Sequence, residues 1–230
     1  MNNFEYIKNN YDSLMGEIDA LSARLGVKAP TLVSVTKSGS DEELLALAAC
    51  GAADIGENRP GEVKRRGEIL SSAGFAPRMH EIGTLQRNKI KLIADSVYMI
   101  HSVDSFALAK DINRHAEARG RIIPILIEVN SAKEEQKSGV FPEDTERFLC
   151  EISGFKNIKI CGLMTMGPVT HDSEELRPYF RETKALFDKL NSCYGFGDYA
   201  TLSMGMSDSY RVAIEEGSTL VRVGRRLFLK

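Results

Sequence analysis

The sequence carries little that would draw it to nucleic acid, membrane or metal. Thirty basic residues against 32 acidic ones leave a formal charge of −2, so no global field pulls it toward nucleic acid or an anionic surface. Lys64-Arg65-Arg66 is a short basic cluster and reads as a solvated helix face. The longest apolar stretch, Ile122 to Val129, is broken by Glu128 and falls far short of the ~20 residues that span a bilayer. The opening MNNFEYIKNN lacks the basic-then-apolar pattern of a secretory leader. Cys50, Cys150, Cys161 and Cys193 form no CxxC pair and read as buried, reduced thiols of a cytoplasmic protein. The histidines, His80, His101, His115 and His171, show no HExxH or other metal spacing, and His101, His115 and His171 read as structural or surface residues. Nucleophile elbow, GxGxxG and Walker loop are all missing.

What is present is an ordinary globular composition, 43% hydrophobic and 27% charged over 230 residues, with no linker or low-complexity tract to divide it. One domain over 1–230 is expected. Short β-rich runs fall near 31–36, 52–55, 79–82, 97–101, 122–129, 158–163, 199–202 and 219–223, alternating with helical stretches. Phe4, Ile7, Tyr11, Leu14, Ile18, Leu21 and Leu25 form one apolar stripe ended by Gly26. Ser40 and Glu43 make a capping box closed by Gly51. Asp104 is placed as the cap of a helix through Ala118, Pro142 in the first turn of one running to Ser153, and Leu176, Phe180, Leu186 and Leu190 mark another. Strands alternating with helices imply parallel pairing. Eight such units predict a single (β/α)8 TIM barrel with an extra N-terminal helix, ahead of a doubly wound open sheet.

In either architecture, ligands meet the carboxyl ends of the strands. In Thr31 to Lys37, a period of two puts Val33, Val35 and Lys37 on one face. Lys37 is therefore placed at the barrel mouth, partly desolvated, where a neutral amine could condense with a carbonyl; a lysine snorkelling to water is the plain alternative. Leu202-Ser203-Met204-Gly205-Met206-Ser207-Asp208 opens a helix that runs through Glu215 and ends at Gly217. With Gly224 after the last strand, it offers backbone N–H groups and hydroxyls for an anion, where barrels commonly bind phosphate; a helix cap is the alternative. Arg222 shares its face with Leu220 and Gly224, so an inward cation needs either a carboxylate or a ligand heteroatom.

Lys37, Gly56-Glu57-Asn58, His80-Glu81-Ile82-Gly83 with Leu85-Gln86 and Asn88-Lys89, Lys137-Ser138-Gly139, Gly162-Leu163-Met164 and the run from Leu202 to Gly224 occur in this order. The pattern resembles the pyridoxal phosphate homeostasis protein family, the proline synthase co-transcribed homologues, from about Leu32 to Phe228. The resemblance implies a barrel like the N-terminal domain of alanine racemase, with pyridoxal 5′-phosphate (PLP) held on Lys37 as an internal aldimine. It implies Ser203, Gly205, Met206, Ser207, Gly224 and Arg225 around the phosphate, Arg222 facing the pyridine nitrogen, and Asn58, His80 and Met164 around the ring. Departures are Met79 in place of an aromatic residue, Pro60-Gly61-Glu62 after the Gly56-Glu57-Asn58 motif, Arg225 where threonine or serine is usual, and no glycine after Phe228.

The function expected from this is a cytoplasmic, monomeric, non-catalytic protein that binds PLP and other B6 vitamers. It would buffer the cofactor or supply it to PLP-dependent apo-enzymes, with no nucleic-acid or membrane partner. An arginine beside the pyridine nitrogen disfavours its protonation and so weakens the ring as an electron sink. A racemase-like enzyme is the alternative. It needs a second acid/base opposite the lysine, which resembling racemases draw from a further β domain; Tyr98, Tyr179, Tyr199 and Tyr210 cannot be assigned to it by sequence. A Schiff-base aldolase is disfavoured because such lysines sit on later strands.

Overall fold

The computed structural model describes residues 4–170 and 172–230; His171 and the first three residues of the opening lie outside it, as does the side chain of Tyr199. Eight parallel strands close into a barrel in sequence order: β1 (Thr31–Val35), β2 (Asp54–Glu57), β3 (Arg78–Glu81), β4 (Met99–Val103), β5 (Ile123–Glu128), β6 (Ile158–Met164), β7 (Thr201–Ser203) and β8 (Leu220–Val223). The TIM barrel expected from the alternation is therefore the observed fold, and the open sheet is excluded by the β1–β8 pairing.

Around the barrel lie α1 (Glu5–Leu25), α2 (Asp41–Ala49), α3 (Pro60–Ser72), α4 (Phe106–Glu117), α5 (Thr145–Ile152), α6 (Arg177–Tyr194) and α7 (Tyr210–Glu215). The apolar stripe of α1 buries Ile7, Leu14, Ile18 and Leu21, and Gly26 ends the helix at φ 68°. A side chain is strained in that left-handed conformation. The Ser40–Glu43 capping box is present. The crossover after β3 is reduced to a 3₁₀ turn, Arg87–Leu92.

Three local expectations are corrected. The cap position of α4 is Ser105, not Asp104. Helix α7 starts at Tyr210 with Ser209 before it, because the Ser209 hydroxyl accepts from the Met206 N–H (3.1 Å) and the chain turns once more before becoming helical. The four thiols are all free, but only Cys161 is buried; Cys150 and Cys193 lie on exposed turns of α5 and α6. No helix among the described residues is long and apolar enough to cross a membrane.

Alternation along each strand sorts side chains between two cores. Leu32, Ile55, Ile100, Ile125, Leu163 and Val221 join the helices in one apolar layer. Inside the barrel, a small cluster of Met99, Leu126, Cys161 and Met164 fills one side. Beside Val33 and Val35, much of the rest of the interior is polar, unlike the branched apolar layers that usually fill such barrels. Asp54, His80, His101, Ser203 and Arg222 are all buried there.

Candidate functional site

The pairing of β1 with β8 sets the strand that leads to Lys37 beside the strand that carries Arg222. Val33 is in register with Arg222. Val33 and Val35 therefore line the interior as the period of two requires, and Lys37 follows in the turn beyond β1. Lys37 is exposed, which corrects the expectation of partial desolvation. No hydrogen bond or ion pair engages its amine among the described residues. It lines a cleft with Ser38, Glu57, Asn58, Arg59, Glu62 and Arg66.

The turn that carries Lys37 is pinned from beneath. Arg66 on α3 is 5% exposed, and its guanidinium donates to the carbonyls of Thr36 and, at 2.7 Å, of Gly39. The same group meets Glu57 at 2.9 Å, and Glu57 also accepts from the Thr36 hydroxyl. Burial pushes the Glu57 carboxyl up, against the pull of Thr36 and Arg66. Arg66 is thus no part of a solvated basic face: only Lys64 and Arg65 of that cluster meet solvent. Sequence reasoning missed this group. The signal was available as the four-residue spacing from Glu62 to Arg66, which puts Arg66 on the α3 face that also buries Val63 and Leu70.

On the opposite side, β7 and β8 supply the second half of the site. The Gly224 N–H donates to Ser207 Oγ at 3.2 Å and the Arg222 N–H to the Gly205 carbonyl at 3.0 Å, which ties the two loops together. Gly205 has φ +92°, and a Cβ there would lie 2.5 Å from Ala213 Cβ; a Cβ on Gly224 would lie 2.8 Å from the Val35 carbonyl. Only glycine fits either position. Met206 is exposed, and Ser207 is half-buried. The Arg225 guanidinium is exposed and paired with Asp208, so its charge is already partnered.

Arg222 is buried, with Ser203 Oγ at 2.5 Å and the Thr165 carbonyl at 3.1 Å as acceptors. Burial lowers it to about 10, so it remains a cation at neutral pH; Glu128 opposes the shift. Among the described residues no carboxylate is in ion-pair contact with it, so the ligand alternative stays open while the direct carboxylate partner is not observed. Glu128, at the end of β5, is itself pushed up to about 7 by burial and by Asp104.

The remaining ring residues are more dispersed. Met164 belongs to the interior apolar cluster. Asn58 is exposed on the β2 turn, against Gly83. Both ring nitrogens of His80 are engaged, one by Asp54 and one by His101, each at 2.9 Å. His101, read from sequence as structural or surface, is a fully buried member of the polar interior.

These groups fit PLP on chemical grounds: a free amine for its carbonyl, a glycine-lined pair of loops with a serine for its phosphate, and an arginine without a carboxylate for an aromatic ring nitrogen. The sequence profile of the alanine racemase N-terminal domain matches residues 9–229. A pyridoxal phosphate homeostasis protein of Aquifex aeolicus is 38% identical over 203 residues, covering 88% of each chain.

The chain belongs to the pyridoxal phosphate homeostasis protein family, within the alanine racemase N-terminal-domain fold.

Among solved structures, an unknown protein from Bifidobacterium adolescentis superposes with TM-score 0.90 at 33% identity, covering 99% of this chain and 97% of its own. PipY of Synechococcus elongatus, solved with PLP bound, superposes with TM-score 0.84 at 28% identity, covering 97% of this chain and 100% of its own.

Proposed function

We propose that this family member binds PLP in the barrel mouth as a Schiff base on Lys37, and acts in cytoplasmic PLP homeostasis and supply without a turnover reaction of its own. The observation that carries the reading is the unpartnered amine of Lys37 across the β1–β8 seam from the Gly205–Ser207–Gly224 cradle. When bound, PLP supplies an electrophilic carbonyl and an aromatic ring; the chain's own residues bind and orient it. Ser207, Gly205 and Gly224 flank the phosphate. Arg222 offers N–H groups to the pyridine nitrogen and, as a fixed cation, opposes proton uptake there. Met164 and Asn58 border the ring, and Met206 and Arg225 close the phosphate side. One PLP-binding domain spanning 1–230, working as a monomer and handing PLP to apo-enzymes, completes the proposal. The homeostasis name of its relatives and the free thiols, typical of a reducing compartment, support it.

Two of the phenols considered for a second acid/base are engaged elsewhere. Tyr210 donates to Glu17 on α1 at 2.6 Å, and the Tyr98 ring packs at a tilt against His80 beneath Arg78. Glu128 favours the second reading, a racemase-like enzyme, because a buried carboxyl near 7 suits proton transfer.

The test is a visible absorption spectrum of the PLP-loaded protein, followed by borohydride reduction and peptide mass mapping. A reducible band with the adduct on Lys37 is expected, and Lys37→Ala abolishes both. A band that survives Lys37→Ala refutes the assignment. Solvent deuterium exchange at the α-carbon of added amino acids separates the two readings: none is expected, and exchange that Glu128→Gln removes establishes the enzyme.

A further inference from the structure

The barrel interior holds a line of polar side chains that ends on Arg222, the residue proposed to meet the pyridine nitrogen. Asp54 Oδ1 is 2.9 Å from His80 Nε2, His80 Nδ1 is 2.9 Å from His101 Nε2, and His101 Nδ1 is 3.1 Å from Ser203 Oγ. Ser203 Oγ in turn accepts from Arg222 at 2.5 Å. All five side chains are buried, none more than 4% exposed. The line crosses from β2 through β3, β4 and β7 to β8. At its far end, half-exposed Arg78 donates to the second oxygen of Asp54 at 2.5 Å.

The two ends fix the direction of every link. A guanidinium can only donate, and an ionised carboxylate can only accept. Burial raises the Asp54 carboxyl, but the bonds from His80 and Arg78 outweigh it and hold it below its ordinary value, hence ionised. Between those ends, each neutral imidazole has one N–H and one bare nitrogen. One assignment then satisfies every atom. Arg222 donates to Ser203, and the Ser203 hydroxyl donates to His101 Nδ1. His101 Nε2–H donates to His80 Nδ1, and His80 Nε2–H donates to Asp54. Reversal would face a bare His80 nitrogen against a carboxylate. Burial holds both imidazoles below their usual range, His101 furthest, which keeps one proton on each.

We propose that Asp54, His80 and His101 are positioning residues: they form a one-way hydrogen-bond chain that locks the Ser203 hydroxyl and, through it, the guanidinium of Arg222 in the orientation that meets the pyridine nitrogen of PLP. The part of this that concerns PLP rests on the proposed function above. The chain accounts for the polar half of an interior that such barrels ordinarily fill with branched apolar side chains, and for two buried histidines beside no metal cluster among the described residues. A buried polar line of this kind is tolerated because every member has its partner.

Long-range proton–nitrogen spectra of the ¹⁵N-labelled protein, recorded without PLP, test the direction. His80 and His101 are both expected as the neutral Nε2–H tautomer; an Nδ1–H form of either overturns the chain, and this needs no variant that could fail to fold. Asp54→Leu removes the terminal acceptor. It is expected to give His101, two links away, a mixture of tautomers, to shift the visible band of added PLP, and to weaken PLP binding about tenfold, the size of one hydrogen bond to a charged group. Asp54→Asn retains an acceptor oxygen and is expected to restore the single tautomer and the band. A purely structural Asp54 would leave the His101 tautomer, the band and the affinity of Asp54→Leu unchanged, and that result overturns the positioning role. A wild-type protein that takes up no PLP refutes the proposed function and the role toward PLP with it, whereas wild-type uptake with the wrong tautomers refutes the chain alone.

Discussion

Two buried polar networks serve the same barrel mouth from opposite sides of its wall, and they are built differently. Outside the wall, between barrel and helices, Arg66 and Glu57 meet directly at 2.9 Å, and the terminal nitrogens of the same guanidinium donate to the Thr36 and Gly39 carbonyls. Inside, Arg222 and Asp54 are also a cation and an anion, but Ser203, His101 and His80 stand between them. Direct contact concentrates the interaction on one short piece of backbone, the turn that carries Lys37. Spacing the charges by neutral groups spreads it over five strands, with less energy per link but a defined direction. The first arrangement holds a position, the second an orientation.

Breaking the outer network should cost most. Arg66→Met leaves Glu57 as an uncompensated buried charge and strips the Gly39 carbonyl of its donor, while the Thr36 carbonyl keeps the Gly39 N–H. A loss of about 3–5 kcal/mol is expected, read as a lower midpoint in urea, together with slower PLP capture as the Lys37 turn loosens. Removing the charges together, in Glu57→Met with Arg66→Met, should recover a large part of the stability but not the capture rate. If the double variant is as unstable as the single one, the ion pair is not what matters. Cutting the inner chain at its middle should cost less: Ser203→Ala leaves His101 Nδ1 without a donor and removes one Arg222 acceptor, for about 1–3 kcal/mol. The Thr165 carbonyl still holds the guanidinium at 3.1 Å. Equal losses in the two experiments would erase the distinction between the networks.

The same contrast explains how much could be seen in the sequence. All eight strands were visible within two or three residues, because alternation and the flanking helical stripes are local signals. The period of two puts Arg222 near the end of β8, as observed, whereas Lys37 lies in the turn just past β1 and is exposed. The groups that hold the Lys37 turn and Arg222 were invisible. Arg66 lies in a run of three basic residues that looks solvated, and only the α3–β2 packing shows it turned inward. His101 looked incidental, because its neighbours Ser203 and His80 are 102 and 21 residues away. Composition and spacing report what a strand presents; closure of the barrel decides what it meets. Desolvation of Lys37 failed for the same reason, since the turn after β1 carries it out past the barrel rim.

Glu81 sharpens the comparison from the side of a carboxyl that has neither arrangement. It lies on the outer face of β3, fully buried, with one oxygen accepting from the Gly83 N–H at 3.0 Å and the other without a partner. Burial pushes it up to about 8 from 4.5, the Gly83 bond opposes that, and nearby Glu57 adds to it. The folded state therefore retains a proton that the unfolded chain gives up. Stability from this group is complete below pH 4.5 and is lost as pH rises toward about 8. The slope approaches about 1.4 kcal/mol per pH unit between those limits at most. Glu81→Gln should flatten that slope in urea melts taken across the window, and should stabilise the protein at pH 8 while changing little at pH 4.5. Glu57→Gln should reproduce this only weakly, because the Arg66 guanidinium and the Thr36 hydroxyl oppose the rise that burial imposes on its carboxyl. If Glu81→Gln leaves the pH profile intact, the outer layer of the barrel tolerates an ionised carboxyl without a countercharge, and the cation at Arg66 would then need a reason other than charge.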